Sequence, residues 1–162
     1  MAFETFDSSL EERRDEKMVF KYIQRMDFSE LKHHLNTTKD KFNVTEIYDK
    51  SGYTPLHYAA YKNIEKACEI LTDFILQGGL EENETDGSMV SHQRMGENGG
   101  SGETKDERSL AKTREARKLA LKNWLSTHSR GDDGFTALHF AGFHGNMGLV
   151  RLFVKHGANI HA

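Results

Sequence analysis

The chain has 162 residues, a formal net charge of −3 at pH 7 and 36% hydrophobic residues, and its mean hydropathy of −0.70 is low for a compact enzyme domain. Acidic and basic residues are interspersed, so we expect no electrostatic attraction to nucleic acid or to an anionic membrane surface. The single cysteine, Cys68, excludes an intramolecular disulfide, and no apolar run approaches the roughly 20 residues that a membrane-spanning helix needs.

The first 48 residues predict a short tail and a pair of helices. Residues 1–14 are mostly polar, and we interpret them as a flexible tail. Within residues 15–48, apolar side chains recur at three- and four-residue spacing, which predicts two amphipathic helices. The first stripe consists of Met18, Val19, Tyr22, Ile23 and Met26, and the second of Phe28, Leu31 and Leu35.

Residues 49–77 predict a tight turn followed by two antiparallel helices. Gly52 suits the turn because it tolerates a positive φ. Thr54 can cap the next helix, and Pro55 sits at the first helical position, where its missing N–H costs nothing. Asn63 is suited to the left-handed residue between the helices. The second helix carries an apolar stripe of Ala67, Cys68, Ile70, Leu71, Phe74 and Ile75.

The middle of the chain differs in composition from the segments around it. Residues 78–109 are rich in Gly, Glu, Ser and Asn and nearly free of large apolar residues, so we predict a disordered loop. Residues 110–130 then contain one amphipathic helix. Its predicted apolar stripe is Leu110, Ala116, Leu119, Ala120, Leu121, Trp124 and Leu125, and Asp106 and Ser109 are candidates for its N-cap.

Residues 131–162 repeat the turn–helix–helix pattern. Gly134 suits the turn, and Thr136 can cap the helix that follows. Gly145 suits the left-handed position between the helices, and Gly157 suits the end of the second helix. Together these features make a unit of about 33 residues.

Both units resemble ankyrin repeats. The similarity is carried by Asp133, Phe135, Thr136, Leu138, His139, Gly145, Asn146, Leu152, Phe153, Gly157, Ala158 and Asn159. In the earlier unit it is carried by Gly52, Thr54, Pro55, Leu56, His57, Ala59 and Ala60. The later unit departs from the pattern at Ala137, where Pro is usual. The resemblance implies an all-α fold, an ankyrin-repeat α-solenoid with a long disordered insertion, and it implies structural roles for His57 and His139. Residues 15–48 then resemble a degenerate capping repeat.

The spacing of the two units leaves alternatives open. Gly52 and Gly134 lie more than two repeat lengths of about 33 residues apart. Either one repeat carries an insertion made of the loop and the helix of residues 110–130, which we favour, or a middle repeat survives only as that helix. The last unit stops where a further repeat would begin, so we expect a truncated array that exposes Leu149, Leu152 or Phe153.

We find no motif for catalysis, a metal or a cofactor. His33 and His34 are adjacent on a short helix and point to different faces, which is the wrong geometry for joint ligation. The other histidines have no Cys or carboxylate partner at ligand spacing. Cys68 lies within an apolar stripe, as a small core residue does. We therefore expect no catalytic residue, no metal site and no cofactor.

The resemblance implies a module that binds another protein through its turn tips and the concave face of its first helices. Carried onto this chain, the binding residues are Lys50, Ser51, Tyr53, Tyr58, Tyr61, Lys62, Asp132, Phe135, Phe140, Phe143 and His144. The expected role is a cytoplasmic scaffold or adaptor with a protein partner and without direct membrane contact. The alternative is the N-terminal recognition arm of a larger enzyme or channel, such as an ankyrin-containing protein acyltransferase or kinase.

Overall fold

The computed structural model describes residues 8–78 and 105–161, and these residues form seven helices and no strand. Residues 1–7, 79–104 and 162, which include most of the predicted disordered loop, lie outside the described residues. None of the helices in the described ranges is long and apolar enough to cross a bilayer. The helices are α1 (Ser8–Arg25), α2 (Phe28–Thr38), α3 (Pro55–Tyr61), α4 (Glu65–Gln77), α5 (Lys105–Leu125), α6 (Ala137–Phe143) and α7 (Met147–Lys155).

Six of the helices form three stacked hairpins, namely α1–α2, α3–α4 and α6–α7. The first helices α1, α3 and α6 pack in one row, and the second helices α2, α4 and α7 pack in another. Each hairpin buries its apolar stripes against its neighbours, so one continuous core runs through the stack. The predicted all-α solenoid is confirmed.

The short helices α3 and α6 begin in the same way. Thr54 precedes α3 with its hydroxyl 2.8 Å from His57 Nδ1, and Thr136 precedes α6 with the same 2.8 Å distance to His139 Nδ1. The residues between the paired helices, Asn63 and Gly145, have left-handed φ values of 57° and 63°, as their residue types predict. These local contacts satisfy the backbone at both ends of helices that are too short to be stable alone.

The hairpin α6–α7 stacks directly on α3–α4, with no other hairpin of the described residues between them. Several hydrogen bonds join them or their flanking turns. His57 Nε2 donates to the Thr127 carbonyl at 2.9 Å, Arg130 N–H donates to the Gly52 carbonyl at 2.8 Å, and Asn146 Nδ2 donates to Asn63 Oδ1 at 2.8 Å. A continuous stack therefore bridges residues that are far apart in the sequence.

Helix α5 is attached mainly by its C-terminal end. Leu121, Trp124 and Leu125 are buried, and α5 packs against α4. Leu110 and Leu119, which were predicted to belong to the buried stripe, are 70% and 57% exposed. The prediction was wrong for them because only the last turns of α5 reach the core. Helix α5 also starts at Lys105, inside the predicted loop, so the cap candidates Asp106 and Ser109 lie within the helix.

Two further expectations are corrected. Helix α1 begins at Ser8, inside the predicted tail of residues 1–14, because residues 10–14 are good helix formers. Leu149 and Phe153 of α7 are fully buried rather than exposed, since they face α6 and α4, and Leu152 is half-buried. The exposed large apolar side chains of this last hairpin are instead Phe143, Met147, Val154 and Ile160.

Alanine substitutions at Gly52 and Gly134 should show whether the two turns approach each other closely. Both variants strain a left-handed backbone, but only the one at Gly52 adds a steric clash. Gly52 has φ +77°, and an added Cβ would lie 2.7 Å from Gly131 N, whereas Gly134 has φ +57° with open space around it. Gly134→Ala should cost about 1–2 kcal/mol for the left-handed backbone alone. Gly52→Ala should cost more, because the Cβ must also push the second turn away. Equal losses of unfolding free energy in urea would contradict the close approach.

The folded chain should lose stability as the pH falls through the range in which His57 titrates. Burial lowers the pKa of His57 to about 4, against the opposing effect of the Thr127 and Phe135 carbonyls. The imidazole of the unfolded chain has a pKa of about 6.5, so as the pH falls it binds a proton before the folded chain does. The contribution of neutral His57 to the free energy of unfolding is therefore fully present above about pH 6.5 and is lost as the pH falls towards about 4. The loss is on the order of 3 kcal/mol.

Urea unfolding between pH 7 and pH 4.5 measures this loss. His57→Asn removes the titrating group and should flatten the curve across that window. The account of His57 is wrong if the His57→Asn protein loses as much stability as the wild type between these two pH values.

Candidate protein-binding surface

The two turns that precede α3 and α6 are ordered by hydrogen bonds. Asp49 Oδ1 accepts from the N–H groups of Ser51 and Tyr53, at 2.8 and 2.9 Å. In the later turn, Ser129 Oγ accepts from Phe135 N–H at 3.0 Å, and Ser129 N–H donates to the Phe135 carbonyl at 2.8 Å. These bonds fix the backbone on which Tyr53 and Phe135 stand, so both rings are held in place beside the first helices.

A cavity of about 540 Å³ lies where these turns meet the first-helix row. We call it the aromatic cavity. Its walls come from both hairpins and from both turns. It is lined by Tyr53, Tyr61, Asp133, Phe135, His139, Phe140, Gly142, Phe143 and His144.

Phe140 packs beneath the other rings of the aromatic cavity. Its side chain is only 7% exposed, and its ring centroid lies 5.3 Å from Tyr53, 5.7 Å from Tyr61 and 5.7 Å from Phe135. All three contacts are edge-to-face, a geometry worth about 0.5–1.5 kcal/mol per pair beyond the area buried. Phe140 therefore does not hold the solvent-facing position that its place in α6 predicted; it supports the exposed rings.

The outer wall of the cavity is apolar and open to solvent. Phe143 is 90% exposed, Tyr61 is 44% exposed and Phe135 is 41% exposed. His144 Nε2 lies 2.7 Å from the Tyr61 carbonyl and so joins the end of α6 to the end of α3. Rings that are exposed while their backbone is held fixed form a preorganised apolar surface.

Charged groups stand at two sides of the cavity. Burial, followed by the carboxylate of Asp133, raises the pKa of Tyr53, so its hydroxyl stays protonated at neutral pH. At the α3 end, the Lys62 ammonium lies 5.2 Å from the ring centroid of Tyr61 and 5.8 Å from that of Tyr58. The rim is thus acidic at the turn and basic at the end of α3.

Comparison with known families assigns both hairpins that build this surface. A family model described as ankyrin repeat matches residues 51–78 and 133–162. The chain contains two ankyrin repeats. No curated protein and no solved structure matches it significantly. Ankyrin repeats are generally protein–protein interaction modules.

The remaining residues of the predicted surface lie outside the aromatic cavity. Lys50 and Ser51 are exposed at the turn of the first ankyrin repeat, and Asp132 is exposed beside the turn of the second. Tyr58 is half-buried and meets Phe20 of α1 edge-to-face at 5.8 Å, so it belongs to the contact with the preceding hairpin. The structure therefore brings together Tyr53, Tyr61, Phe135, Phe143 and His144, supported by Phe140.

Sequence reasoning missed three residues of the cavity. Asp133 and His139 entered the sequence analysis only as parts of the repeat motif, although the ring centroid of His139 lies 5.5 Å from that of Phe135, and Gly142 was not among the predicted surface residues. The position of Asp133 next to the turn glycine was the available signal, because it places a carboxylate beside the aromatic rings. Gly142 has no side chain that could fill the cavity, so the cavity stays open.

Neither a cluster of metal ligands nor an exposed thiol occurs in the part of the chain that the structure describes. No group of three or more His, Cys, Asp or Glu side chains in residues 8–78 and 105–161 is placed to hold a metal ion. Cys68 is buried, and this burial raises the pKa of its thiol far above neutrality, which opposes a nucleophilic role. His34 Nε2 donates to the Asp15 carbonyl at 2.8 Å, whereas His33 is exposed.

Proposed function

We propose that the two ankyrin repeats bind another protein through the aromatic cavity, and that the chain acts as a non-catalytic scaffold or adaptor. The observation that carries the proposal is the exposure of Phe143, at 90%, beside the partly exposed rings of Tyr61 and Phe135. A large exposed aromatic cluster costs free energy in water, and burying one such side chain in a partner recovers about 1.5–3 kcal/mol.

The supporting contacts favour binding over simple packing. Phe140 and the His144–Tyr61 hydrogen bond hold the wall of the cavity in place before a partner arrives. Aromatic side chains have few rotatable bonds, so they bury much area at a small entropic cost and are enriched at the centres of interfaces. We propose that an apolar side chain of the partner enters the aromatic cavity as the central anchor.

The rim residues complete the proposed interface. Lys50 and Ser51 at one turn, Asp132 beside the other and Lys62 at the end of α3 are exposed, and charges at a rim act mainly on association rate and specificity. The buried, single Cys68 agrees with a cytoplasmic setting. We further propose that α1–α2 is a degenerate repeat, because it stacks on α3–α4 in the same two rows as the matched repeats.

The proposal predicts that Phe143 is needed for binding but not for folding. Peptides selected from a random 12-residue display library against the wild-type chain should bind the Phe143→Ser variant at least about tenfold more weakly. The apolar side chain of the peptide that enters the cavity would lose its contact with the ring of Phe143. The unfolding free energy should change by less than about 0.5 kcal/mol, since Phe143 is exposed. Fluorescence anisotropy and urea unfolding measure the two quantities.

Val154→Ser is the matched control, because Val154 is also an exposed apolar residue of the second repeat, at 45%, but does not line the cavity. It should leave peptide affinity unchanged. Selected peptides that bind the Phe143→Ser and wild-type proteins equally well would overturn the proposal. His144 is left intact here, since its bond to Tyr61 makes it part of the scaffold.

A further inference from the structure

A second concavity, of about 760 Å³, lies between α5 and the C-terminal ends of α4 and α7. We call it the basic groove. It shares no residue with the aromatic cavity. It is lined by Leu76, Arg114, Glu115, Lys118, Leu119, Leu121, Lys122, Lys155, His156 and Gly157.

The basic groove concentrates positive charge in a chain whose net charge is −3. Four cationic side chains, Arg114, Lys118, Lys122 and Lys155, line it against the single carboxylate of Glu115. That carboxylate lies 2.8 Å from Lys118 Nζ, so its charge is already paired. The groove therefore has an excess of positive charge that would attract an acidic partner.

The floor of the basic groove is aliphatic. Leu119 is 57% exposed although it lies between charged residues, Leu76 is half-buried and Leu121 is buried. Arg114, Lys118 and Lys122 recur at four-residue spacing, and Glu115 and Leu119 do so beside them, so one face of α5 presents charge and an apolar side chain together.

We propose that the basic groove docks an acidic segment of a partner protein that carries apolar side chains among its carboxylates. The carboxylates pair with the lysines and Arg114 at the rim, while an apolar side chain covers Leu119 and Leu76. Charge complementarity selects the acidic partner, and the aliphatic floor favours a peptide over nucleic acid, because a phosphate backbone has no apolar side chain to cover Leu119 and Leu76.

The test uses the full chain and three fluorescein-labelled probes. They are a 16-residue peptide of Glu with Leu at helical spacing, a 16-residue poly-Glu peptide and a 16-base-pair DNA duplex, each titrated by anisotropy in 50 mM NaCl. The Glu–Leu peptide should bind most tightly of the three. The double variant Lys118→Gln with Lys122→Gln, and separately Leu119→Ser, should each weaken that binding about tenfold, since one removes charge and the other the apolar contact.

Two control variants keep the outcomes distinct. Lys66→Gln removes an exposed lysine of α4 that lies outside the groove, and Phe143→Ser alters only the aromatic cavity, so both should bind the Glu–Leu peptide like the wild type. Circular dichroism should show unchanged helix content in every variant. The proposal is overturned if poly-Glu or the duplex binds as tightly as the Glu–Leu peptide, or if the lysine and Leu119 variants bind it normally.

Discussion

The packing of α3 on α6 is the contact on which the rest of the structure depends. Neither seven-residue helix of this row would be stable alone, because each is too short. The burial of α3 against α6 supplies the free energy that stabilises both helices. The bond from His57 to the Thr127 carbonyl and the close approach of Gly52 to Gly131 fix the register of this packing. The aromatic cavity exists only because Tyr53 and Tyr61 from one repeat meet Phe140 from the next.

The long separation between the two repeats is accommodated without interrupting this row. Helix α5 packs against α4, in the second-helix row, and buries only its last turns. The first-helix row therefore stays continuous, and the turn of the second repeat reaches the turn of the first. The same arrangement leaves most of α5 exposed, which is why its cations and Leu119 can form the basic groove beside α4 and α7.

The repeat motif predicted the features that depend on local sequence. The cap at Thr54 and the left-handed Asn63 follow from the preferences of single residues and their nearest neighbours, and both are present. Tyr61 and Phe143, which the motif assigns to the first-helix face, are exposed, and their binding role stays a prediction. It failed where burial depends on the next element in the stack. Phe140 is covered by rings from another repeat, and Leu119 lies on a part of α5 that no other described helix covers, so neither outcome can be read from periodicity alone.

The most direct test of the structure is a nuclear Overhauser measurement between aromatic ring protons of the folded chain. The packing of α3 on α6 predicts cross-peaks from Phe140 to both Tyr53 and Tyr61, whose ring centroids lie 5.3 and 5.7 Å away although the residues are distant in sequence. A spectrum in which Phe140 contacts only residues of its own repeat would show that the two repeats do not stack, and the aromatic cavity would not exist.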